Sequence, residues 1–557
     1  MVITALKRFR ARRFNHLRAL FTLSIAIVVT GCASADLAKM RESRTSFLAS
    51  DFAGAERALY SPEVFSNKQN RLQHFLMLST IAMSEGAFEK AAYFLQKSRD
   101  WSNQVRSDHA GFEWFESNYG GNPIEYSYIH HFLVLSYQLL ADAGGTPAWS
   151  TPEIKDEKGN VLVVAQGFPA KTYSPKEIAD LRLKARSELM AWDSHFENLK
   201  RSFGSEPYYR DDVWAKLLAS YVHGSSESNS EKRTAELLIE QAIGQLKLES
   251  GEMPTLGNNR EQIEKLAAKL KSSVITKKKQ DGNLFVCEAG VIDRYKIQKY
   301  HLGISTLFKG IQDPMLRAQL EMLGFQILMH YAPEFGLTVY AGGVIGALGG
   351  GDSDESDEEG PPKFFTDAID SSLGFLISFP TIRKPDATTK VELELTGADG
   401  KNFNFDLPIV SPLQELLSHD LKAREKKEML SRGMKIGLQY LAALVTAVSA
   451  YQAADREGNG LKKLGILAGY YLTKKAIDRA NRPDLRSWDV LPHLLAADYL
   501  DGLKGEYQAV IKVSNSSGSE KVNLGPMMLG KGGSGLIWKR IPNLPILNAR
   551  STNSVAH

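Results

Sequence analysis

The chain has 557 residues and a mass of 61.7 kDa, more than one compact core holds and enough for two to four domains of ~100 to 200 residues. With 43% hydrophobic, 24% charged and 9% aromatic residues, the composition excludes a disordered or collagen-like chain. The net charge of +4 is uneven: residues 1–31 hold six Lys and Arg and no acidic residue, so the remainder carries −2, which leaves no electrostatic footprint for nucleic acid.

The N-terminus reads as a secretory leader. A basic region, Lys7 to Arg18, precedes an apolar run of ten residues, Leu20 to Val29, well short of the ~20 that a membrane-spanning helix needs. Small Thr30 and Gly31 stand before Cys32, with Ala33 and Ser34 behind it. This pattern resembles the bacterial lipobox. The resemblance implies cleavage after residue 31 and acylation of Cys32, with palmitate-type chains on its thiol and its new α-amino group, each buried CH₂ contributing ~0.8 kcal/mol to anchoring. A plain secretory leader with an incidental cysteine is the competing reading. The lack of Asp after Cys32, compared with lipoprotein sorting, points to the periplasmic face of the outer membrane. The other cysteine, Cys287, lies in a short β-like run and is expected as a buried, inert thiol rather than a nucleophile. With Cys32 acylated, no intramolecular disulfide can form.

Residues 32–270 read as a helical domain. Phe52 and Phe88 occupy matching positions in two similar segments 36 residues apart, close to the 34-residue tetratricopeptide period, so the stretch resembles degenerate tetratricopeptide repeats; two ordinary helical hairpins are the alternative. Arg71 to Met83 supplies the helix before the second segment. Asn122-Pro123-Ile124-Glu125 and Ser174-Pro175-Lys176-Glu177 each combine a cap, a first-turn Pro and a Glu that reaches back, which predicts two helix starts. After the second, Ile178, Leu181, Ala185, Leu189, Trp192, Phe196 and Leu199 form one apolar stripe. Val213 to Tyr221 and Ala235 to Leu246 predict a further helical pair. Ala141 to Pro169 reads as a loop or hairpin excursion.

Residues 271–545 read as a smaller α+β domain, with a disordered tail at 546–557. Leu284 to Glu288, Tyr295 to Tyr300, Val391 to Leu395, Phe403 to Leu407 and Tyr507 to Val513 predict strands, with Val522 to Leu524 and Leu536 to Trp538 as partners of the last. A single small sheet is the expected arrangement. An acidic disordered loop at 349–362 and an apolar helical insertion at 411–500 interrupt it. Within the insertion, Met434 to Ala450 and Leu464 to Leu472 are expected as a buried helical pair.

Signals for chemistry are few. No CxxC, HExxH, GxSxG or GxxxxGK[ST] occurs, and Gly530 to Gly535 matches GxGxxG without the strand and helix that motif needs. His130 lies some 140° around its helix from Glu125, a poor metal pair, so His130 and His131 are expected as one packed and one surface residue. Asp211 and Asp212 read as helix-start residues. No metal, cofactor or catalytic residue is therefore assigned.

Tyr119-Gly-Gly-Asn-Pro-Ile-Glu125 with Tyr128 and His130, Gly282 to Glu288, and Asp484-Leu-Arg-Ser-Trp488 with Leu491-Pro492 together resemble a family of bacterial outer-membrane lipoproteins with tetratricopeptide-like helices and a late DLRSW..LP motif. This chain departs from the family in Asn122, where Glu is usual, and in its acidic tract. The resemblance implies gene-order proximity to activators of penicillin-binding proteins and carries no catalytic residues over. Trp488 and Arg486 are expected to dock the apolar helices on the sheet. The resulting expectation is a mainly α, α+β lipoprotein anchored through Cys32, acting as a non-catalytic scaffold for a periplasmic protein or peptide, with Tyr119, Glu125, Tyr128 and His130 on a partner-binding rim. An envelope enzyme or accessory factor of peptidoglycan synthesis, with its site scattered in sequence, is the alternative.

Overall fold

The computed structural model describes residues 35–108, 118–203, 212–276, 282–302, 375–456, 460–530 and 535–548. Cys32 and its leader, Asp211, the acidic tract and the interior of the GxGxxG match lie outside them. The described chain is α+β and mainly helical.

The first layer is helical: α1 (residues 35–48), α2 (Phe52–Leu59), α3 (Pro62–Ser66), α4 (Arg71–Ser84), α5 (Phe88–Asp108) and α6 (Pro123–Ala143). Phe52 and Phe88 both open helices, of 8 and 21 residues. At α6 the Asn122 side chain accepts from Glu125 N at 2.9 Å and Glu125 Oε2 accepts from Asn122 N at 3.1 Å. Pro123 fills the first turn, where a missing N–H costs nothing, and Gly144 ends the helix in the left-handed region at φ 67°. Because α6 is apolar on every side, it is buried almost throughout between α5 and α7.

Six short strands follow as three nested pairs: β1 (Gly145–Thr146) with β6 (Lys171–Thr172), β2 (Trp149–Thr151) with β5 (Gln166–Phe168), and β3 (Ile154–Lys155) with β4 (Val161–Val163). This is the hairpin excursion read from the sequence. Next come α7 (Pro175–Phe203), α8 (Val213–Gly224), α9 (Asn229–Glu249) and α10 (Pro254–Lys269), which runs into a π-helical turn at Leu270–Thr276. Leu181, Ala185, Leu189, Trp192 and Phe196 of the α7 stripe are buried, and Asp212 caps α8 by accepting from Trp214 N at 2.9 Å.

The remaining elements are β7 (Gly282–Ala289), β8 (Lys296–Leu302), β9 (Phe375–Thr381), β10 (Lys390–Gly397), β11 (Asn402–Leu407), β12 (Ile409–Ser411), α11 (Leu413–Arg456), α12 (Gly460–Ala480), β13 (Leu494–Asp501), β14 (Gly505–Asn515), β15 (Gly518–Leu529), β16 (Leu536–Ile541) and α13 (Pro545–Asn548). They build two four-stranded sheets rather than the single one expected. The inner sheet has the order β12-β13-β7-β16, with β7 antiparallel to β13 and parallel to β16. The outer sheet, β11-β10-β14-β15, is antiparallel throughout. Val522 and Asn523 pair with β14 as expected, with Leu524 at a bulge beside them, whereas Leu536 to Trp538 pair with β7 instead. β8 and β9 form a separate ribbon.

Strand β7 explains why two sheets form. Every residue of it is buried, so both faces need cover. Leu284 and Val286 join the core shared with the helices, while Phe285, Cys287 and Ala289 join the core shared with Leu393, Ala509 and Ile511 of the outer sheet. The order of layers is helices, inner sheet, outer sheet. The change at residue 270 is therefore one of secondary structure, with a continuous apolar core running across it.

Three further expectations are corrected. The α11–α12 pair is not buried: Leu438 and Leu472 are 60% and 65% exposed, because α12 packs mainly on α11. Residues 546–548 belong to α13, with Leu547 buried against Gly290, rather than to a disordered tail. Trp488 and Arg486 dock the segment before β13 onto α4 and α6, not the apolar helices onto a sheet: Trp488 Nε1 donates to Thr80 Oγ1 at 2.9 Å, and Arg486 Nη1 donates to Gln69 O at 2.9 Å.

Candidate functional site

The four residues expected on a rim are in the interior. Tyr119, Glu125, Tyr128 and His130 are each less than 5% exposed, because α6 is enclosed on all sides. Glu125 accepts from Asn122 N, from the Tyr119 hydroxyl and from Trp488 N at 2.6 Å. Burial outweighs these three donors and pushes its carboxyl up to about 7. Tyr128 donates to Asp212 Oδ2 at 3.1 Å, which Ser411 Oγ also meets at 3.1 Å. These contacts join helices to sheet, and the carboxylate and hydroxyl groups are spent on protein partners.

His131 is buried as well, so neither histidine of the pair is at the surface, where one was expected. Its Nδ1 accepts from Trp214 Nε1 at 3.2 Å, so its Nε2 carries the proton toward Glu288 Oε1 at 3.1 Å. Glu288 follows Leu284 and Val286 on the helix-facing side of β7. Arg540, beside it on β16, stands 3.7 Å from its other oxygen. Burial pulls the Arg540 guanidinium down to about 10, against the opposing charge of Glu288. Burial likewise pushes the Cys287 thiol up to about 12, which makes it the inert thiol that was expected.

The surface offers a different site. α5, α6, the nested strands and α7 enclose a cleft of about 340 Å³, within the range of ligand pockets. Its aromatic wall is built by the excursion: Trp149 and Phe168, paired across β2 and β5, stack at 3.9 Å with 11° between planes, and Tyr93 of α5 meets Phe168 edge-on at 5.7 Å. Trp149 Nε1 donates to Glu89 Oε2 at 3.1 Å, and Tyr93 Oη donates to Gln166 Oε1 at 3.1 Å. The rim carries Lys171, Glu177, Asp180 and Lys184.

Two groups of the cleft are held away from their ordinary range. Lys171 and the Ser174 cap hold the Glu177 carboxyl down at about 2, while burial and the nearby Glu89 push the Tyr173 hydroxyl up to about 12. One turn further along α5 and α7, Arg99 and His130 Nδ1 both bind Glu188, the latter at 2.9 Å. Burial opposes the Glu188 charge, but the His130 hydrogen bond and Arg99 outweigh it and hold the carboxyl below its usual range. None of the four residues expected on the rim lines the cleft. The aromatic residues of the excursion were the signal for this site, since Trp149, Phe168 and Tyr173 are too many rings for a plain loop.

Among the described residues no group of His, Cys, Asp and Glu is arranged to hold a metal ion, and no helix is long and apolar enough to cross a membrane. No family model, curated protein or solved structure matches the chain.

Proposed function

We propose that the protein is an outer-membrane lipoprotein, anchored through acylated Cys32 on the periplasmic face, that acts as a non-catalytic scaffold. Its tetratricopeptide-like helical layer holds an extended peptide segment of a periplasmic partner. The observation that carries this reading is the cleft between α5, α6 and α7, whose wall of Trp149, Phe168 and Tyr93 stands beside a charged rim of Lys171, Glu177, Asp180 and Lys184. A peptide matches that mixture: an apolar side chain against Tyr93 and Phe168, and main-chain groups and charges toward the Lys and acidic residues of the rim.

The lipid anchor and the cleft are tested separately. Labelled palmitate should enter the native chain and not Cys32→Ser, which should leave membranes washed in high salt. Loss of label with no change in fractionation would remove the anchor from the account. Trp149→Ala should keep the melting curve within a few degrees of the parent and abolish partner recovery from crosslinked cells. Unchanged recovery would remove the cleft.

A further inference from the structure

The α11–α12 hairpin carries charge unlike the rest of the protein. Residues 413–480 hold twelve Lys and Arg against seven Asp and Glu, a net of +5, although residues 32–557 as a whole net −2. The hairpin is the basic pole of an otherwise acidic chain. Yet its middle is uncharged, from Ile436 to Ala454 on α11 and from Leu464 to Thr473 on α12.

The two helices enclose an open, largely apolar groove of about 720 Å³, floored by residues such as Ala443, Ala447 and Ile466. Leu438 stands one turn from Ala442 and Leu472 one turn from Ala476, which puts both exposed leucines on the outer flanks of the groove, outside its lining. Asn481 Nδ2 donates to Gln439 Oε1 at 3.0 Å at the base of the hairpin. Exposed Arg479 flanks the groove near that end, with exposed Lys475 on the opposite face of α12. Exposed Lys462 lies toward the tip, about 25 Å further along α12.

We propose that this hairpin docks, groove side inward, on a lipid surface that bears anionic headgroups. The charge complementarity selects the occupant: cations at both ends of an apolar strip place their stems along the acyl boundary and their heads among phosphates. The flanking leucines and the small side chains of the groove bury in the interface. The hairpin lies on the membrane and does not span it, since neither helix is apolar enough. This contact needs neither the acylation of Cys32 nor the aromatic cleft.

Residues 33–557, which keep every described residue and lack Cys32, test it by sedimentation with vesicles. Vesicles with about a quarter phosphatidylglycerol should bind at least about tenfold more tightly than phosphatidylcholine alone. Raising salt to about 0.5 M should remove most of that difference. The exposed triple variant Lys462→Glu, Lys475→Glu, Arg479→Glu, with its melting curve as a check of folding, should lose at least about tenfold in binding. In Leu472→Trp, the new indole emission should shift to the blue on anionic vesicles. Equal binding to both vesicle types, or undiminished binding by the triple variant, overturns the proposal. So does an emission shift that follows protein concentration alone, which would make the groove an interface between copies, or one already complete in dilute lipid-free protein, which would mean another part of the same chain covers it.

Discussion

The main-chain N–H of Trp488 donates to Oε1 of Glu125 at 2.6 Å across 363 positions of sequence. The same carboxyl also closes the N-terminal cap of α6 through Asn122 N. One buried acid thereby fixes the start of the central helix and the segment that leads into β13, and Arg486, over the Tyr119 ring at 5.2 Å, closes the junction from the other side.

The pH dependence of stability should carry the mark of Glu125. Its folded-state pKa of about 7 lies above the ordinary 4.5, so the folded state binds this proton more tightly than the unfolded one. The stabilisation is complete below about pH 4.5 and is lost as pH rises through about 7, a change of about 3 kcal/mol. Measured by urea unfolding, the stability of the parent relative to Glu125→Gln should fall by about 3 kcal/mol as pH rises from about 4.5 through about 7. A difference independent of pH contradicts this account.

Removing two members of the Glu288 cluster together should cost less than the sum of removing each alone. Glu288→Ala leaves Arg540 buried without its counter-charge and His131 without its acceptor, a loss of about 3 to 5 kcal/mol. Glu288→Gln with Arg540→Met should be less destabilising than the sum of the single changes by at least about 1 kcal/mol, measured as a double-mutant cycle in urea.

The Trp488 anchor separates into ring and N–H. Trp488→Phe loses the hydrogen bond to Thr80 Oγ1 and should cost about 1 kcal/mol beyond any change in ring contacts. Trp488→Ala also opens a cavity beside Phe132, whose ring lies 5.2 Å away, and should cost about 3 to 5 kcal/mol. Similar costs for both would mean that the ring contributes little.

Cys287 should be silent in the native protein. Its thiol is buried between the two sheets with its pKa pushed up to about 12, so the thiolate that reacts with disulfide reagents is absent at neutral pH. Modification of residues 33–557 followed by mass spectrometry should proceed at the rate of global unfolding and become rapid in denaturant. Fast labelling of the native chain would contradict the two-sheet core.

Local patterns were readable wherever the physics is local. The Asn122 and Ser174 caps, the α7 stripe, the β10–β11 hairpin and the buried thiol of Cys287 all follow from spacing within one element. What failed was partnership across the chain. Nothing in Leu536 to Trp538 says that its partner is β7, 252 residues away through the Gly535 contact, rather than the neighbouring β14. Polar residues misled for a related reason. Glu125, Tyr128 and His130 look like surface chemistry by residue type, but each bonds a distant element, and burial with a partner is invisible until the fold supplies that partner. The cleft is not legible because Trp149 and Phe168 of its wall come from strands of three residues each, too short to carry a period.

The most direct test of the scaffold account is site-specific photocrosslinking in intact cells. A photoreactive residue in place of Lys184, at the cleft rim, is compared with one in place of Leu237, exposed on α9 outside the cleft. The account predicts an adduct from position 184 that maps to one contiguous segment of an envelope protein, fades in Trp149→Ala and is absent from position 237. Equal adducts from both positions, or one at 184 unaffected by Trp149→Ala, would contradict it.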